Sequence, residues 1–211
     1  MGQVIELHRE TDTPADRSRK ISFEEFLTQY DGVFAEWIDG EVVMGSPASN
    51  EHQDDSRFLT MLLGFYVEAR ELGEIRTAPF VMRFQHAPAG REPDLMFIAQ
   101  DNLHRLKATF LDGAADLVIE IVSPESVGRD RGDKFVEYES AGVREYWIID
   151  PQRRQAEFYF LNTDKRYELI FSGREGRVHS KVLDGFYLSV EWLWQKPMPK
   201  VAPLLREMGV L

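Results

Sequence analysis

The sequence predicts a single α/β domain built on a mixed sheet, and three stretches carry that expectation. DLVIEIV, residues 116–122, is an almost unbroken β-branched apolar run, the pattern of a strand buried on both faces. A helical pattern over 129–141 ends at Gly142, and the apolar run EYWIID, closed by Pro151, follows. Strand, helix and strand in that order imply a parallel crossover. Over 50–72, Phe58, Met61, Leu62, Phe65, Tyr66 and Ala69 recur at three- and four-residue spacings, as in a long amphipathic helix stopped at Gly73.

The remaining elements follow in chain order. Residues 1–20 have mixed charge, Pro14 and no hydrophobic period, so they are expected as a flexible arm, with the domain spanning 21–195. Ser22 and Glu25 stand at capping-box spacing before Phe23, Phe26 and Leu27, which predicts a short first helix. VFAEWI and EVVMG flank Asp39-Gly40, a two-residue turn suited to a tight hairpin, and Glu36 lies on its first strand. EIRTA, FVMRF and DLMFIA read as short strands, the last two separated by the turn-rich HAPAGREP. Residues 156–182 alternate as an antiparallel meander, 190–194 form a short helix, and 196–211 are expected as a C-terminal tail.

Composition narrows the function classes. With 43% apolar and 29% charged residues the chain has the make-up of an ordinary globular domain. No apolar run approaches the roughly 20 residues of a membrane span, and the N-terminus is too polar for a secretory leader, so a cytoplasmic protein with no membrane partner is expected. Cys is absent, which leaves carboxylates and five His as strong metal ligands and favours a hard, oxygen-liganded cation. The net charge of −11 argues against a broad basic surface for phosphate.

The chemistry centres on Glu120. A carboxylate inside a core strand costs several kcal/mol unless a proton, counter-charge or metal neutralises it. Asp94 opens an apparently neighbouring strand after Pro93, so the two carboxylates are expected to share one Mg²⁺ or Mn²⁺ with waters, and the Ile121 carbonyl is a third candidate ligand. Lys134 follows on the next helix, sharing a face with Asp130 and Tyr138, where its ammonium would orient water or meet a developing phosphoryl charge. Each residue also has a plain structural alternative. Asp94 would cap a turn, Glu120 would pair with Lys134, and Tyr138 would simply pack.

Pro93-Asp94, Glu120-Ile121-Val122 with Ser123-Pro124, then Lys134, Tyr138, Gly142 and EYWIID resemble the Uma family of restriction endonucleases, within the PD-(D/E)XK superfamily. AEWIDGE, SPASNEH and the long helix extend the resemblance over 20–195. It implies a restriction-endonuclease-like core, a central mixed sheet flanked by helices, and Mg²⁺-dependent endonuclease action on nucleic acid, with DNA the expected substrate. Val122 stands where the superfamily motif has lysine, and the resemblance transfers that role to Lys134. It also adds Glu36 and His52 as auxiliary site groups and, by analogy, a homodimer. The competing expectation is a noncatalytic binding or assembly protein that keeps the fold, which the acidic balance favours.

Overall fold

The computed structural model describes residues 19–84, 87–123 and 127–211. Nearly all of the expected arm, and His86, lie outside them. The first helix, α1 (Phe23–Gln29), carries the anticipated capping box: Glu25 N–H donates to Ser22 Oγ at 3.1 Å and Ser22 N–H to the Glu25 carboxylate at 2.8 Å. Strands β1 (Ala35–Ile38) and β2 (Glu41–Met44) close around Asp39 and Gly40, whose φ angles of 48° and 86° are both left-handed, as the tight hairpin requires.

Ser49 caps α2 (Asn50–Ala69). Its buried stripe runs through Phe58, Leu59, Leu62, Leu63, Tyr66 and Val67. Met61 and Phe65, read as core from their spacing, are exposed, because they lie at the margin of this stripe and face away from the sheet. Strands β3 (Gly73–Thr77) and β4 (Val81–Arg83) follow as expected. HAPAGREP departs from its turn reading: Ala89–Arg91 form β5, hydrogen-bonded between β1 and β4. The glycine that signals a turn has a packing reason here, since a Cβ on Gly90 would lie 2.9 Å from the Phe23 ring.

Next come β6 (Leu95–Ala99), β7 (Phe110–Asp112) and β8 (Leu117–Ile121). The helix expected over 129–141 is two pieces, α3 (Val127–Asp130) and α4 (Asp133–Ala141). They break at Gly132, where a Cβ would come within 2.5 Å of the Gly128 carbonyl oxygen. Gly142 ends α4 in the left-handed conformation, and β9 (Glu145–Asp150) runs parallel to β8, completing the predicted crossover.

The meander is divided. β10 (Gln155–Leu161) and β11 (Tyr167–Gly173) add to the edge of the main sheet, whereas β12 (Arg177–His179) pairs separately with β13 (Tyr187–Ser189). Val190–Trp194 is a 3-10 turn. Residues 196–211 are more than a tail, because they include α5 (Val201–Glu207), whose Val201, Leu204 and Leu205 are buried in the core that α2 covers.

Among the described residues the main sheet has the order β11-β10-β9-β8-β6-β3, and a second has the order β2-β1-β5-β4-β7. The main sheet is mixed and flanked by helices, the expected α/β class. Alternation splits its side chains. Leu95, Phe97, Ile119, Ile121 and Ile149 face α2, while Met96, Val118, Tyr146 and Ile148 face Tyr138 of α4 and Met82 of the second sheet. Glu120 shares the parity of Val118 and so points between the two sheets. No helix among the described residues is long and apolar enough to cross a membrane.

Candidate active site

The antiparallel register of β6 and β8 pairs Leu95 with Ile119, which brings Asp94 level with Glu120 at the sheet's edge of pairing. There β6 has ended, and the Asp94 carboxylate takes the Ile121 N–H at 2.7 Å in place of a ladder carbonyl. Its other oxygen lies 3.1 Å from His52 Nε2, supplied by the first turn of α2. Asp94 therefore ties the sheet to the helix.

Glu120 is buried, and α4 closes over it. Lys134 Nζ donates to Glu120 Oε1 at 3.0 Å, and the Tyr138 hydroxyl donates to the same oxygen at 2.6 Å. The Lys134 ammonium also lies 3.1 Å from Glu36 Oε1 and 3.3 Å from Asp130 Oδ1, one turn back across the break between α3 and α4. Lys134 is itself buried, with three carboxylates around it. On the far side of Glu36, Arg91 Nη1 donates to Oε2 at 2.8 Å while its Nε and Nη2 grip Glu137 at 2.7 and 2.9 Å.

Charge sets the behaviour of this group. Burial pushes Glu120 up to about 8, and the carboxylates of Asp130, Asp94 and Glu36 add to it against the pull of Lys134. Burial works against Lys134 as well, yet Glu120, Glu36 and Asp130 raise its pKa and keep it protonated. Glu36 is also desolvated, but Lys134 and Arg91 hold it below the usual carboxylate range. His52 is raised because its contact with Asp94 outweighs its burial. Negative groups outnumber the cations that face them.

The expected residues Glu36, His52, Asp94, Glu120, Ile121 and Lys134 all line one cleft of about 780 Å³, together with Asp130. Asp130, noted in the sequence only as sharing a helix face with Lys134, is one of its ion-pair partners. Tyr138, for which packing was the plain expectation, also hydrogen-bonds Glu120. Arg91 and Glu92 were missed. Their stretch reads as a turn, and only the adjacency of Arg91-Glu92 to Pro93-Asp94 hints at them. Glu92 accepts the Ala35 N–H at 2.9 Å, and burial pushes it up to about 7.

A hard divalent cation fits this donor set. Among the described residues no three carboxylates or imidazoles are preassembled as a metal cluster. Mg²⁺, however, is commonly held by one or two carboxylates with waters completing its shell. The surplus of buried carboxylates, and the burial that pushes Glu120 up, are what such a cation would offset.

The sequence model of the Uma2 family, described as "Putative restriction endonuclease", matches residues 23–191. The chain belongs to the Uma2 family. Among solved structures, this Uma2 chain is similar to "a putative nuclease belonging to DUF820" from Anabaena variabilis ATCC 29413, at 18% identity and a TM-score of 0.69. The alignment covers 82% of this chain and 97% of that one, and at this identity it establishes the shared fold. No curated protein matches the Uma2 chain.

Proposed function

We propose that this Uma2 chain is a divalent-cation-dependent endonuclease that hydrolyses phosphodiester bonds in DNA. The observation that carries the reading is Lys134, a buried ammonium held by Glu120, Glu36 and Asp130 in the cleft that also contains Asp94. Membership of the family supports it.

In this reading Asp94 and Glu120, with the Ile121 carbonyl, hold Mg²⁺ or Mn²⁺. Such a cation, when bound, supplies Lewis-acid polarisation of the phosphoryl oxygen and an acidified water. The Ile121 N–H and His52 fix both oxygens of Asp94, so its carboxylate is oriented before any ligand arrives. Tyr138 aims Glu120 in the same way. Glu120 would share the cation with Asp94, and Lys134, held in the cleft by Glu36 and Asp130, would present positive charge to the scissile phosphate. Glu36, anchored by Arg91, keeps the Lys134 side chain in place, and His52 lies within the cleft to contact substrate.

The test is a melt of wild type and Asp94→Ala with and without millimolar Mg²⁺ or Mn²⁺, beside incubation with plasmid and single-stranded DNA. Stabilisation by metal and cleavage in wild type alone are expected. Absence of a metal response in either protein would instead make the carboxylates structural and favour a binding or assembly role for the fold.

A further inference from the structure

The cleft does not end at its acidic floor. One wall is made by the β1–β2 hairpin and the segments beside it, with Val33, Phe34 and Met44, and another by α2, with Arg57 and Met61. Phe34, Met44 and Met61 are 39%, 55% and 41% exposed, so an apolar surface opens beside a polar, charged site. Met61 gains nothing from the core, since the buried stripe of α2 passes it by.

Phe34 is a fixed platform. The Gly45 N–H donates to the Phe34 carbonyl at 2.9 Å, and the ring lies so close over Gly45 that a Cβ there would fall 2.0 Å from ring carbon Cδ1. Only glycine lets the aromatic face rest on the backbone in this way. The ring is thereby held on one side and open on the other.

A ligand for this cleft needs flat apolar faces and a charged backbone. Nucleobases in a duplex have their faces covered by their neighbours, whereas an unpaired strand offers them for stacking on an aromatic ring. Charge points the same way. Duplex binding draws its affinity from many phosphate contacts, but this chain has a net charge of −11 and Lys134 is held by carboxylates. Among the described residues, Arg57 and Arg129 are the other cations that line the cleft, and Arg57 is held only by a 3.6 Å pair with Asp54 at the surface. Two arginines suit a short stretch of backbone.

We infer that the cleft takes an unpaired strand of nucleic acid, with a base stacked on Phe34 beside Met44 and Met61 and the flanking phosphates at Arg57 and Arg129. This specifies the substrate class of the proposed nuclease site and rests on that reading.

The full chain is titrated, in EDTA to hold off hydrolysis, into a labelled oligothymidylate of roughly 12 nucleotides, within the span that single-strand-binding folds cover. The same strand annealed to its complement is titrated in parallel, and anisotropy is recorded. The single strand binds about tenfold more tightly than the duplex, and Phe34→Ala and Gly45→Ala each weaken it by roughly tenfold, the scale of one lost base stack. Phe34→Trp retains affinity, and its added fluorescence is quenched by the strand, which a variant that merely failed to fold would not show. Equal affinity for the two forms, or indifference to Phe34→Ala, overturns the inference. So does a dimer that Phe34→Ala dissociates without changing strand affinity, since the wall would then belong to a second copy. A cleavage assay with Mg²⁺ separates the two claims. Phe34-dependent strand binding without cleavage supports this inference and removes the nuclease reading, while cleavage of duplex and single strand alike, indifferent to Phe34, does the reverse.

Discussion

Tyr138 donates its hydroxyl proton to Glu120 Oε1 at 2.6 Å, on the oxygen that Lys134 also holds at 3.0 Å. Two donors converge on one oxygen of a buried carboxylate whose pKa burial has already pushed up. The carboxylate is oriented, and burial favours its protonated form. That combination makes Glu120 the informative position to change.

Glu120→Gln keeps an acceptor for Tyr138 and, because burial already favours the protonated acid, changes the charge of the metal-free group little. Its melting temperature in EDTA should stay within about 3 °C of wild type, a shift of no more than about 1 kcal/mol for a domain of this size. The stabilisation by Mg²⁺ should vanish, and cleavage should fall by on the order of 100-fold or more. A drop of several kcal/mol in EDTA, with the metal response preserved, would make Glu120 a structural partner of Lys134.

Lys134→Met leaves Glu120, Glu36 and Asp130 without their shared cation. Removing one partner of a buried charge network costs about 3–5 kcal/mol. The Lys134 pKa is raised, so its contribution is complete below the unfolded value and constant between pH 5 and pH 8. The loss in the variant should nevertheless be smaller at pH 5, where the abandoned carboxylates take up protons. Urea unfolding at the two pH values measures the difference, and an equal loss at both would count against the carboxylate surplus.

Burial pushes Asp55 and Glu92 up to about 7 and Glu120 up to about 8. Between about pH 4 and these values the folded chain holds protons that the unfolded chain has released, so these groups lower stability as pH rises through that window. The metal-free protein should therefore melt at higher temperature near pH 5 than near pH 8. Asp55 Oδ1 is buried without a hydrogen-bond partner among the described residues, so Asp55→Asn should raise the melting temperature at pH 8 by about 2–4 °C and flatten the profile. A variant less stable than wild type at pH 8 would show that its negative charge is needed, with Lys196 and His52 as the cations nearest to it in effect.

Local rules carried much of the fold. The capping box at Ser22 and Glu25, the hairpin at Asp39-Gly40, the left-handed stop at Gly142 and the parallel pair around EYWIID depend on backbone geometry that short sequences specify by themselves. The charged interruption in DLVIEIV was legible for a related reason: a lone carboxylate in a strand apolar on both faces has no local remedy, so its partner had to come from elsewhere. Lys134 was foreseen because helical spacing and the family resemblance both pointed to it. The tertiary structure decided what depends on elements distant in sequence. Ala89–Arg91 became a strand because its backbone pairs with both β1 and β4, where Gly90 lets it pass close to Phe23, overriding a turn-like composition. Arg91 then reached Glu36 across 55 positions, which no local period encodes. Met61 and Phe65 fell outside the core because the rotation of α2 was set by the sheet it covers and by α5. The sequence by itself determined which residues needed a partner, since hydration and backbone sterics act on each residue wherever it sits. Which partner each one met was settled only when the two sheets and α4 packed, because burial, charge and hydrogen bonding at Glu120 are properties of that assembly.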